Sequence, residues 1–96
     1  MHIILNAFSF LREKLKQKGI PYINAPWVIE DKTRIVDLID SLGLEPKDVE
    51  AVFLNYTVVP KETELHENDR VALLPPGTPG SFRLRIARAL INRRQL

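Results

Sequence analysis

Two histidines, a cluster of carboxylates, three serines and a proline–glycine run are the residues whose types and spacing bear on chemistry. His2 and His66 stand far apart and neither belongs to an H-x-x-x-H pair, so no two-histidine metal site is encoded on one helix face. Glu62, Glu64, Glu67 and Asp69 gather acids in one segment, as a cation site would require. They lack the Gly-centred twelve-residue calcium loop and its terminal glutamate, and the segment reads as a solvated charge run. Ser9, Ser41 and Ser81 have no base placed beside them by the sequence. There is no Gly-x-x-x-x-Gly-Lys and no Gly-x-Gly-x-x-Gly to cradle a phosphate. With no cysteine, disulfides, thiolate catalysis and cysteine-based zinc sites are excluded. These absences point away from intrinsic catalysis, and no cofactor or metal is implied.

What remains is concentrated near the C-terminus. Pro75, Pro76, Gly77, Thr78, Pro79 and Gly80 crowd breakers into six positions, a density that ends regular structure. Beyond them, Phe82, Ile86 and Leu90 recur at i+4 spacing. Arg83, Arg85, Arg88, Arg93 and Arg94 occupy much of the remaining surface, and Ser81 is placed to cap a helix. The formal charge of +2 divides at the same place. Residues 1–80 carry 9 Lys and Arg against 12 Asp and Glu, a net of −3, whereas residues 81–96 carry five arginines and no acid. We therefore expect a mildly acidic domain over residues 1–80 and a basic extension, helix or tail, over 81–96.

The elements that position these residues follow from periodicity. Ile3 to Phe10 reads as a buried strand, Arg12 to Gly19 as a loop or single turn before Ile20-Pro21, and Tyr22 to Glu30 as an edge strand because of Pro26. The two strands form a hairpin. Ile35, Leu38, Ile39 and Leu42 lay one apolar stripe along a helix, with Asp31 or Thr33 as N-cap and Gly43 just past its end. Ala51–Asn55 and Arg70–Pro75 are apolar enough to be central strands, and Val58-Val59 suggests a short edge piece. One main helix on one face of a mixed sheet of four or five strands is an α+β, β-grasp arrangement. At 96 residues there is room for one small domain. No apolar run approaches the roughly 20 residues of a membrane span. The start of the chain is too charged for a secretory signal, so we expect a soluble, cytoplasmic protein without a membrane partner.

Several motifs, taken in order, resemble the MoaD and ThiS sulfur-carrier family of ubiquitin-like proteins. Phe8, Leu11, Arg12 and Glu13 match its aromatic-x-x-Leu-Arg-Glu segment. Leu54-Asn55 matches a Val-Asn-Gly-like turn, with Tyr56 at the glycine. Leu65, Asp69 and Val71 match a Leu-x-x-Gly-Asp-x-Val loop, with Asn68 at the glycine. Leu74 to Gly80 stands where the family ends Phe-Pro-Pro-x-x-Gly-Gly. Asn55 and Asn68 tolerate the left-handed backbone that such turns require.

The resemblance implies a function carried by a free terminal glycine. An ATP-dependent activating enzyme of the ubiquitin-activating type adenylates its carboxylate, and sulfur replaces AMP. The thiocarboxylate then serves an enzyme of molybdopterin, tungstopterin or thiamine-thiazole synthesis. The resemblance also offers Phe8, Val71, Leu73 and Leu74 as partner contacts, although strand alternation sends about half of them inward. Here Gly80 is peptide-bonded to Ser81, and Pro79 fixes φ and removes a donor where glycine is usual. The carrier reading therefore requires cleavage after Gly80. The alternative is a non-catalytic ubiquitin-like binding module whose C-terminal segment docks through Phe82, Ile86 and Leu90, on a partner or on its own domain. Nucleic-acid binding through the arginines is a third reading, disfavoured by the acidic body and the lack of an aromatic array. Trp27 is read as packing in preference to a partner anchor.

Overall fold

A computed structural model describes residues 1–77. Its elements are β1 (His2–Ala7), α1 (Phe10–Gln17), β2 (Ala25–Val28), α2 (Ile35–Ser41), a 3-10 turn (Pro46–Asp48), β3 (Ala51–Leu54), β4 (Thr57–Val59) and β5 (Asp69–Leu74). The five strands form one sheet in the order β2-β1-β5-β3-β4. β1 and β5 pair in parallel and the other ladders are antiparallel. The last strand in sequence thus occupies the centre of the sheet, and the α+β, β-grasp expectation holds.

Strand alternation builds the main core on one face. Ile3, Leu5 and Ala7 of β1, Val52 of β3, and Val71 and Leu73 of β5 point the same way and are buried against both helices. From α2 come Ile35, Leu38 and Ile39, with Leu42 just beyond its last residue. Burying each such side chain contributes roughly 1.5–3 kcal/mol. The first N–H groups of α2 cannot be satisfied within the helix. Ile35 donates to the Thr63 carbonyl and Val36 to that of Lys61, so the polar segment after β4 closes the helix start. At the other end Gly43 adopts φ +74°. Lys18 reaches across from the end of α1 to donate to the Gly43 carbonyl at 2.6 Å. A cation there suits the negative end of the helix dipole.

Two expectations need correction. Arg12–Gly19 is no loop, since Phe10–Gln17 is an α-helix that buries Leu11 and Leu15. Two leucines at i, i+4 suffice because the intervening Arg, Glu, Lys and Gln are all good helix formers and the sheet supplies the missing packing. Accordingly β1 stops at Ala7 instead of running to Phe10. The N-cap of α2 is neither Asp31 nor Thr33 but Arg34, whose backbone N–H donates to Asp37 at 3.0 Å. The Thr33 hydroxyl turns back to the Glu30 carbonyl. Pro26 does lie on an edge strand, opposite Ile4, and Val58-Val59 belongs to the short edge strand β4.

Loop acids fasten the frame. Asp48 accepts from the Glu45 backbone N–H at 2.9 Å and from Lys14 of α1 at 3.1 Å. These contacts, the backbone bond first, hold its carboxyl below the usual range. Glu67 receives the His2 backbone N–H on both oxygens at 3.1 Å, and its carboxyl is lowered chiefly by that bond.

Candidate functional site

The C-terminal end of β5 is where the chain departs from the sheet toward Gly80, and its construction starts with the backbone. The Phe8 N–H donates to the Leu73 carbonyl at 3.2 Å, and the Glu50 N–H to the Leu74 carbonyl at 2.8 Å. The strand is thereby held from both sides up to its last residue. Pro75 then has no N–H to continue a ladder. Pro75 is buried, Pro76 and Gly77 are exposed, and Gly77 takes φ +80°, a left-handed value that glycine adopts without strain. Of the segment singled out in the sequence, Thr78, Pro79 and Gly80 lie outside the described residues. So do Phe82, Ile86 and Leu90 and the five arginines Arg83, Arg85, Arg88, Arg93 and Arg94.

Alternation divides the proposed contact residues. Val71 and Leu73 face the helices and are fully enclosed in the core, so their side chains are not available to a partner. Leu74 points to the opposite, helix-free face. There it forms a second apolar cluster with Phe53 and Ala72, against which Phe8, Ala51 and Tyr56 pack half-buried. Cross-strand register explains the grouping, because Phe53 lies opposite Ala72 and Ala51 opposite Leu74. Phe8 and Leu74 are therefore the two of the four on this face, Phe8 half-buried and Leu74 with no exposed surface. Trp27 packs half-buried against the main core, consistent with its reading as a packing residue.

Several residues of this region were not assigned a role from the sequence. Arg12 donates from Nε to the Ala7 carbonyl at 2.8 Å, fixing the end of β1. Its guanidinium lies 5.4 Å from the centre of the Phe8 ring and 5.8 Å from that of Tyr22, a cation–π arrangement that orients Phe8. Phe53 and Ala51 belong to a strand that reads as plain core, and only knowledge of the helix-free side separates them from Val52. Tyr56 stands in the β3–β4 turn, where Asn55 and Tyr56 both have positive φ, +49° and +75°. Leu54 pairs with Thr57, so this is a two-residue hairpin loop of the kind that demands left-handed backbone at both positions. Asparagine tolerates that conformation, whereas a tyrosine there is strained.

The same turn is anchored by a carboxylate. Asp69, buried, accepts from Asn55 Nδ2 at 2.8 Å and from the His66 backbone N–H at 2.7 Å, while Asn55 Oδ1 accepts the Arg70 N–H at 2.9 Å. Asp69 and Glu67 are thus engaged in structure, and the acidic segment is more than a solvated run. Among the described residues no three His, Asp or Glu side chains converge as a metal site would require. Nor, among them, is any helix long and apolar enough to cross a membrane.

Comparison with known proteins agrees with this construction. A small archaeal modifier protein from Haloferax volcanii superposes with a TM-score of 0.60 at 17% identity, covering 83% of this chain and all of that one. A second structure of small archaeal modifier protein 1 from the same organism gives a TM-score of 0.59 at 17% identity, over 78% of this chain and 97% of that one. A protein described as molybdopterin converting factor, subunit 1, from Pyrococcus furiosus gives a TM-score of 0.59 at 16% identity, over 79% of this chain and 98% of that one. At such identities these likenesses show the β-grasp, ubiquitin-like fold alone. No curated protein sequence matches the chain. The ThiS family, by contrast, matches at the level of sequence, from Phe8, the aromatic residue beneath Arg12, to Gly80, six residues past the end of β5. That match spans most of the 96 residues, and the chain belongs to the ThiS family.

Proposed function

We propose that this chain is a sulfur carrier of the ThiS type whose working group is the carboxylate of Gly80, exposed by cleavage of the bond to Ser81. The observation that carries the reading is a coincidence of three boundaries. The family match stops at Gly80, the net charge changes sign after it, and the central strand delivers the chain toward it through a proline-rich segment. Hydrolysis of the Gly80–Ser81 bond adds water and leaves a carboxylate. That carboxylate attacks the α-phosphate of ATP in an activating enzyme, releasing pyrophosphate. A sulfur nucleophile then displaces AMP, leaving a thiocarboxylate. The carrier contributes no catalytic side chain. Its part is to present a narrow tail, with half-buried Phe8 as a contact for the activating enzyme and the enclosed Leu74 supporting it from within the same cluster. Partner enzymes supply the chemistry, and a cofactor-synthesis enzyme for molybdopterin, tungstopterin or thiazole receives the sulfur. Transfer of the activated Gly80 carbonyl to a protein amine is a second outcome of the same adenylate, favoured by the fold shared with the archaeal modifier protein.

Intact-mass measurement on protein taken from its native host tests the reading. We expect a species ending at Gly80, part of it with one oxygen replaced by sulfur. Full-length chain alone would remove the carrier function and leave the binding-module reading.

A further inference from the structure

The outer edge of β2 is open among the described residues, where no strand lies beyond it. Met1 and Ile29 exchange backbone bonds, the Met1 amine donating to the Ile29 carbonyl at 2.7 Å and the Ile29 N–H to the Met1 carbonyl at 2.9 Å. Bonded and unbonded pairs alternate along an antiparallel ladder, so the next pair, His2 with Val28, exchanges none. The bonds of His2 agree. Its N–H goes to Glu67 and its carbonyl takes the Asn68 N–H, both on the β5 side of β1. The N–H and carbonyl of Val28 therefore point outward from the edge, as does the carbonyl of Pro26, two residues back. Pro26 offers no N–H, so the open stretch consists of these three groups. The Val28 side chain is apolar and 70% exposed.

Beside this edge runs a groove of about 500 Å³ between β2 and α2. Trp27 and Ile29 alternate with Val28, face the helix side and form its floor, half-buried against the main core. Thr33, Asp37 and Ser41 make the opposite wall. Glu30 and Asp37 are the charged residues of the lining, which includes no base. The Asp37 carboxylate holds the Arg34 N–H at 3.0 Å and its Nε at 3.4 Å, yet its side chain is still 51% exposed. An apolar floor, an acidic rim and outward-pointing backbone groups thus adjoin. An edge of that kind takes an extended peptide as an added strand, with main-chain bonds giving affinity and the flanking groove giving selectivity.

We infer that the β2 edge binds an extended segment of a protein partner in which apolar and basic residues alternate. A partner residue set opposite Val28 exchanges both backbone bonds with it, and the N–H two residues away reaches the Pro26 carbonyl. The side chain of that residue lies on the Val28 side, where an apolar group packs against the exposed valine. Its two neighbours turn to the groove. An arginine or lysine there lays its methylene stem along Trp27 and Ile29 and carries its charge to Asp37 and Glu30. Charge decides the class of partner, because acidic neighbours would meet two carboxylates. The groove lies at the outer edge of the sheet, so the inference stands without the carrier reading and without cleavage at Gly80.

Nuclear magnetic resonance on the full chain, titrated with the capped pentapeptides Val-Arg-Val-Arg-Val and Val-Glu-Val-Glu-Val, tests it. With the arginine peptide we expect shifts centred on Trp27, Val28, Ile29, Asp37 and Ser41. Exchange of the Val28 amide should slow on the order of tenfold or more at saturation. The glutamate peptide should bind about tenfold more weakly. Val28→Pro removes the edge donor and leaves the ladder to β1 untouched, so affinity for the arginine peptide should fall on the order of tenfold. No binding of either peptide, equal binding of both, shifts centred on Phe53 and Ala72, or full affinity in a folded Val28→Pro would overturn the inference. So would a Val28 amide already protected in the chain alone, since the edge would then be taken by this chain or by a second copy. The two peptides on the unmodified chain decide the matter even if the variant does not fold.

Discussion

The two faces of this sheet are built from the same strands yet are maintained differently. On the helix-covered face, Leu73 and Val71 meet side chains that arrive from α1 and α2, elements pinned by Lys18, by Asp48 and by the backbone bonds that close the start of α2. On the helix-free face, Leu74 and Ala72 meet Phe53, Phe8, Ala51 and a tyrosine held in strained backbone. The first arrangement is redundant and gives the fold its stability. The second is small and apolar, lies next to the end of the last strand, and rests on fewer elements. Adjacent residues of one strand thus build two separate clusters, because a one-residue step exchanges one face for the other.

The comparison can be broken most directly with two neighbouring truncations. Leu73→Ala should cost about 3 kcal/mol in the full chain, within the range for deleting a buried leucine, and Leu74→Ala about half as much because the half-buried Phe8, Ala51 and Tyr56 can settle into the space. Urea denaturation measures both, and equal losses would show that the two faces are packed alike. A smaller effect concerns the hairpin. Tyr56→Ala keeps the left-handed strain and loses the ring, whereas Tyr56→Gly removes both, so the alanine variant should be the less stable by about 1 kcal/mol. Thermal unfolding of the pair gives the order, and the reverse order would contradict the positive φ at this position.

The smallest effect is electrostatic and sits on the helix side. The Asp48 carboxyl is lowered in the folded state, first by the Glu45 N–H and then by Lys14. Its contribution is therefore complete above the ordinary carboxylate range, near pH 4. It is lost as pH falls through the lower, folded value. Asp48→Asn keeps an acceptor for the N–H but cannot titrate. Its urea midpoint should fall less steeply between neutral and acid pH than that of the parent, and identical slopes would dismiss the role of Asp48.

Strand identity and the α2 stripe were legible in the sequence because both depend on local periodicity, as was the edge position of β2 through Pro26. The helix α1 was not, since Leu11 and Leu15 alone make a stripe too sparse to distinguish from a polar loop without the sheet beneath it. The Asn55–Asp69 anchor was equally hidden. Its partners stand fourteen residues apart and meet only because β5 brings Asp69 back beside the β3–β4 turn. For the site, family motifs located the tail and Phe8. Separating Leu74 from Leu73 needed the strand's orientation, which apolar residues on both faces conceal.

The position of β5 also has a mechanical consequence. β1 at the start of the chain and β5 at the end of the domain run side by side in parallel, with β3 bonded along the other flank of β5. A pull applied at Gly77 and resisted at the N-terminus slides β5 along both neighbours, and the ladder bonds, lying across the strands, take the load together instead of parting singly. An enzyme that grips the tail, or a protease that draws it into a cleft, thus holds the molecule by its most resistant handle, and can work the chain beyond Gly77 hard without unravelling the domain that presents it.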